Sequence, residues 1–225
     1  KFCIQKNIYI IYDAIFEEAP IFNEKRVQIF KLAHDYRKLI KIKGFSKDIP
    51  QLSDLRCGWT ICKDQKFIQW LLELGEAVNY SNSTFLEALG IVEMTQRVNV
   101  DIGNKSASTL EYITEKEQYH NQIFTIFKDT YDYLLTESSV VENVIYPDAG
   151  NIIFITFKKE ACHKKGVYTS HELFVYILEK ENILVTPGNV FGLPLDDLSF
   201  RVTISRGYKQ FMDGIKRIVE LFKEE

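Results

Sequence analysis

The sequence is short of the residues that would tie it to several protein classes. Cysteine occurs four times in 225 residues, at Cys3, Cys57, Cys62 and Cys162, and no two form a C-x-x-C pair. A chain this long with so few cysteines is not a disulfide scaffold; buried free thiols in a reducing cytoplasm are expected. Positive charge is not in excess: 28 lysines and arginines face 31 aspartates and glutamates, a net charge of −3. With a pI near 5.9 there is no electrostatic case for nucleic acid or an anionic membrane surface. No apolar run reaches the length of a membrane span, and no signal peptide, internal repeat or low-complexity linker is visible. An initiating methionine is lacking as well. The chain starts at Lys1 and runs into a strand-like segment within a few residues, so it reads as an excerpt of a longer protein.

What is present is ordinary for a globular protein: 46% hydrophobic and 26% charged residues, enough for one large or two small domains. Ile8–Tyr12 (IYIIY) predicts a strand buried on both faces, ending at Asp13. Asn23–Tyr36 carries apolar residues at helical spacing with Asn23 as a cap, and Leu39–Ile42 (LIKI) predicts a second strand. Strand, helix and strand in that order make a right-handed βαβ unit with parallel strands. The connection from Lys47 to Arg56 is too short for another helical crossover, so Cys57–Cys62 (CGWTIC) should return antiparallel. Helices are expected at Gln65–Leu74 and Ser83–Arg97. Ser106–Thr136 contains no proline or glycine and predicts one long helix. Beyond it, strands are expected at Asn151–Phe157, Ile183–Gly188 and Phe200–Ser205, with helices at His171–Glu179 and Tyr208–Phe222. The stretch ACHKKG sets Cys162 beside His163 at a spacing poor for a metal; it reads as a loop, and no metal site is expected.

Asp13 follows one strand and Lys47 follows the next. Ligands of open α/β sheets gather at the carboxyl ends of strands. An aspartate and a lysine meeting there can form a salt bridge or a cofactor site. Pyridoxal 5'-phosphate needs such a pair, an amine for its aldehyde and an acid to keep its ring nitrogen protonated, and Arg56 is placed to hold its phosphate by charge-assisted bonds.

Four segments in order, YDAIFEE, GFSKDIPQLSDLRCGW, VTPGNVFG and FRVTIS, make the chain resemble the class I/II aminotransferases of the fold type I pyridoxal-phosphate enzymes. The resemblance implies an α/β fold: the C-terminal part of the cofactor-binding large domain (1–105), with a mixed, mostly parallel sheet, then a long linking helix (106–137) and a small α+β domain (138–225). It implies Asp13 on the pyridine nitrogen, Lys47 as the Schiff-base lysine and proton shuttle, and Arg56 and Ser46 near the phosphate. Phe16 would lie beside the cofactor, and Arg201 would clamp the α-carboxylate of the substrate. The implied activity is amino transfer between an amino acid and a 2-oxo acid, in a homodimer.

The chain departs from the pattern in four places. Phe16 stands where the family usually has a tyrosine that donates to the cofactor, and Gly44 stands where it usually has a serine. Arg56 falls nine residues after Lys47, where eight is commoner. The family's N-terminal half, with its phosphate loop, stacking aromatic and N-P-x-G turn, is absent. Two alternatives therefore stay open: a decarboxylase or lyase of the same fold, and a truncated paralogue without catalysis.

Overall fold

The first apolar segment forms a strand, but later and more exposed than its composition predicts. A single helical turn, α1 (Phe2–Gln5), precedes β1 (Ile10–Asp13). β1 pairs in parallel with β2 (Leu39–Gly44), and β2 pairs antiparallel with β3 (Gly58–Cys62), giving the sheet order β1-β2-β3. The expected doubly buried strand at Ile8–Tyr12 is corrected by this arrangement. Ile8 lies outside it and Ile11 is 68% exposed, because β1 has a ladder on one side only among the described residues. The computed structural model describes residues 1–17, 19, 29, 33, 35–47, 57–79, 84–205 and 207–223. The helix expected at Asn23–Tyr36 lies for the most part outside them, as does Arg56.

Three helices follow: α2 (Gln65–Asn79), α3 (Thr84–Asp101) and α4 (Ala107–Thr136). The first two run past their expected ends. The last is the long uninterrupted helix that its freedom from proline and glycine predicts. The described residues fall into two units, divided inside α4: one up to Lys116 and one from Glu117 onward.

The second unit is built on a four-stranded antiparallel sheet. Its order is β4 (Val141–Ile145), β5 (Ile152–Phe157), β7 (Ser199–Thr203) and β6 (Thr186–Pro187). β4 has no counterpart in the sequence reading, since VENVI lacks clean alternation; its ladder with β5 shifts register between Val141 and Asn143. The strand expected at Ile183–Gly188 shrinks to Thr186–Pro187 and passes into a 3-10 turn, Gly188–Phe191. Proline has no N–H to continue a ladder, and the chain at Gly188 presses on β7 so closely that a Cβ there would lie 2.2 Å from Ser199 Oγ.

The loop expected at ACHKKG is in part a short helix, α5 (Lys159–His163), pinned by the buried Ala161 and Cys162. α6 (Ser170–Glu181) starts at a full capping box: Thr169 accepts from the Glu172 amide, and the Glu172 carboxylate accepts from the Thr169 amide. α7 (Tyr208–Glu220) buries Met212, Ile215, Ile218 and Val219. The core centres on Phe157, whose ring meets Phe200 and Phe222 edge-on at 5.1 and 5.2 Å. Phe157→Ala should lower stability by about 3–5 kcal/mol, read as a shift in urea unfolding followed by circular dichroism. A loss well under 1 kcal/mol would show that this cluster does not hold the unit together.

Cys162 is the one fully buried thiol; Cys3, Cys57 and Cys62 are half-buried, which corrects the expectation that all four are buried. Burial pushes the Cys162 thiol up to about 12. A thiol reagent at about pH 8 should therefore label the other three cysteines and spare Cys162 until urea unfolds the chain. Equal labelling of all four in the folded protein would contradict this packing.

Candidate functional site

Parallel pairing fixes which residues share an end of the sheet. The β1–β2 register runs from Ile10 opposite Leu39 to Asp13 opposite Ile42, so both strands finish on the same side. Ala14 continues the ladder by donating its amide to the Ile42 carbonyl at 2.8 Å. Asp13 is exposed at the strand end, and its Oδ1 accepts from the Ile15 amide at 3.1 Å, which starts a turn. Phe16 sits in that turn, 38% exposed. Beyond β2, Ser46 is half-buried and Lys47 is exposed. The Lys47 ammonium lies 6.0 Å from the centroid of the Phe16 ring, at the outer reach of a cation–π contact.

The lysine that the sheet does bury is another one. Lys43, on β2, is 5% exposed and has its Nζ 3.7 Å from Glu17 Oε2, which also pairs with Lys41. A buried ammonium needs such a partner. The alternating lysines of LIKIKG are the sequence signal for this cluster.

The departure at Gly44 has a steric reason. A Cβ there would stand 3.0 Å from the Cys57 carbonyl oxygen and 3.2 Å from Ile15 Cδ1. The strand end is thus closed to the serine of the usual pattern unless the backbone shifts. Phe45 is 1% exposed, its ring 4.8 Å from that of Trp59 on β3. It anchors the chain two residues before Lys47.

Arg201 belongs to the second unit. It lies on β7, opposite Phe154 on β5 and Thr186 on β6. Its Nη2 donates to Thr186 Oγ1 at 3.3 Å, and its guanidinium carbon is 5.2 Å from the Phe191 ring centroid. Nε is buried without a hydrogen-bond partner, and no carboxylate of the described residues forms an ion pair with it. A guanidinium braced sideways by a hydroxyl and a ring, yet facing no carboxylate, is suited to an anionic ligand. Thr186 and Phe191 were not singled out from sequence, although both stand in or beside the quoted VTPGNVFG. Among the described residues, no three His, Cys, Asp or Glu side chains are grouped to hold a metal ion, and no helix is long and apolar enough to cross a membrane.

The chain belongs to the aminotransferase class I and II family, within the fold type I pyridoxal-phosphate enzymes; the family profile matches residues 1–215. It is 27% identical over 188 residues to the HTH-type transcriptional regulator NorG of Staphylococcus aureus, covering 83% of this chain and 36% of that protein. It is 22% identical to the "Probable aspartate/prephenate aminotransferase" of Aquifex aeolicus, across the whole of this chain and 51% of that one. Its fold matches the aromatic aminotransferase of Pyrococcus horikoshii with a TM-score of 0.74 at 17% identity, covering 98% of this chain and 52% of that structure. The chain thus spans a third to a half of the length of these relatives.

Restoring the usual residue should therefore harm rather than help. Gly44→Ser is expected to cost about 1–3 kcal/mol in urea unfolding. A variant as stable as the parent would show that the β2–β3 approach is looser than its geometry indicates.

Proposed function

We propose that this chain carries the lysine- and arginine-bearing part of a pyridoxal-phosphate-dependent aminotransferase that moves an amino group between an amino acid and a 2-oxo acid. The observation that carries the reading is the shared strand end: Asp13 closes β1, Lys47 follows β2, and the Lys47 ammonium lies over Phe16. An exposed amine and an exposed carboxylate at the carboxyl end of parallel strands are the donor set that pyridoxal 5'-phosphate requires. Lys47 would hold its aldehyde carbon and Asp13 its ring nitrogen. Phe16 offers a ring face but no hydroxyl. When bound, the cofactor supplies an electron sink for the charge left at the α-carbon of an amino acid.

Freed when a substrate amine takes its place, Lys47 would serve as general base for the α-proton and, as general acid, deliver it to the carbon that had held the lysine. By the family resemblance, Arg201 would take a ligand's carboxylate through its Nη groups. Ser46 and Arg56 complete the phosphate contacts in this reading. By the same resemblance the working protein is a homodimer in the cytoplasm, in keeping with four free thiols.

A second reading is favoured by the 27% identity to NorG over 188 residues. In it, the chain is the aminotransferase-like part of a transcriptional regulator and binds the cofactor without transferring amino groups.

Borohydride reduction of the protein with pyridoxal phosphate, followed by peptide mapping, tests the site. The pyridoxyl group should fall on Lys47 and be lost in Lys47→Ala. Labelling scattered over surface lysines, unchanged in that variant, would refute the assignment. Incubation with amino acids and a 2-oxo acid then separates the two readings: labelled Lys47 without any amino transfer would favour the regulator.

A further inference from the structure

Residues on α3 reach the base of the Lys47 turn through an aromatic pair. Phe45 and Trp59 pack at 4.8 Å with their planes inclined by 52°. The Arg97 guanidinium carbon is 5.7 Å from the Phe45 centroid and 5.9 Å from that of Trp59, so one cation serves both rings. Its Nε donates to Glu93 Oε1 at 2.8 Å. The Tyr112 hydroxyl, from α4, donates to the same oxygen at 2.7 Å. Arg97 and Glu93 side chains are 11% and 10% exposed, so the pair is largely withdrawn from water.

Among the described residues, the backbone of Phe45 is held by one long bond from its amide to the Cys57 carbonyl at 3.3 Å. The ring is the stronger anchor. A buried ion pair gains little stability over apolar residues of the same volume, and its best-attested use is to fix one geometry. The rings are large and the guanidinium planar, so their contact specifies direction as well as proximity.

We propose that Arg97 is a positioning residue: held by Glu93 and Tyr112, it braces the Phe45–Trp59 pair and so sets the direction in which the chain carries Lys47 away from β2. The inference rests on the reading of Lys47 as the cofactor's amine. In this proposal Arg97 acts through Phe45, over whose ring its guanidinium lies.

The test is Arg97→Met, which keeps the volume and removes the planar charge, with Arg97→Lys as the conservative variant. Two quantities are read: amide hydrogen exchange across Phe45–Lys47 without cofactor, and the share of the pyridoxyl group that borohydride fixes on Lys47. In Arg97→Met the urea midpoint should fall, since Glu93 is left buried without its cation; beyond the general rise this brings at the amides of β2, exchange at these three amides should rise about tenfold and the share on Lys47 should fall several-fold. Arg97→Lys should recover part of both, since charge over the rings remains. Tyr112→Phe, which deletes one bond to Glu93, should raise exchange about two- to threefold and decides the matter if Arg97→Met does not fold. Unchanged exchange and unchanged labelling in these variants would overturn the proposal. If the parent chain takes no label at Lys47 while Arg97→Met still loosens the three amides, the cofactor reading falls and the brace stands.

Discussion

The parallel pairing of β1 with β2 is the constraint on which the candidate site depends. Four residues of each strand are in register, and that ladder brings Asp13 level with Ile42. Parallel strands cannot be joined by a tight turn; the chain must cross back over the sheet, and both strands then exit at one end. A carboxylate and an amine distant in sequence thus come to the same end of the sheet. The period of a strand is two residues, so a slip of one position would turn Asp13 to the opposite face. Glu17 reinforces the arrangement, since from the turn that follows β1 its carboxylate pairs with both Lys41 and the buried Lys43 on β2.

The second unit sets Arg201 among neutral neighbours, with no ion pair to a carboxylate among the described residues. Arg201 stands on β7, between β5 and β6. Its neighbours there are a hydroxyl and an aromatic ring, which orient a guanidinium without neutralising it. The tight seat of Gly188 against Ser199 keeps the turn that carries Phe191 close to β7. Below it, the Phe157, Phe200 and Phe222 cluster provides a rigid floor.

Much of the element order was legible in the sequence because its signals are local. The long α4, the apolar stripe of α7 and the alternation of β7 each repeat over enough residues to stand out. The antiparallel return of Gly58–Cys62 followed from loop length. Elements held by tertiary contacts were not legible. β4 is three apolar residues in a broken pattern, and it is a strand because β5 lies beside it. α5 is too short to show a period, and the burial of Cys162 sets it. The site was nominated by motif order, but the steric reason for Gly44 and the buried role of Lys43 depend on chain segments that meet only in the fold.

By itself, then, the sequence determined the helices and strands with strong periodicity, the family, and a short set of titratable residues at strand ends. Local backbone preference and side-chain spacing suffice for that, and both are written along the chain. The tertiary structure decided which lysine is buried and which is exposed, which glycine is crowded by its neighbours, and which arginine lies beside a hydroxyl and a ring. Each of those depends on what arrives from elsewhere in the chain to fill, pair or crowd a position, and distance along the sequence carries no record of it.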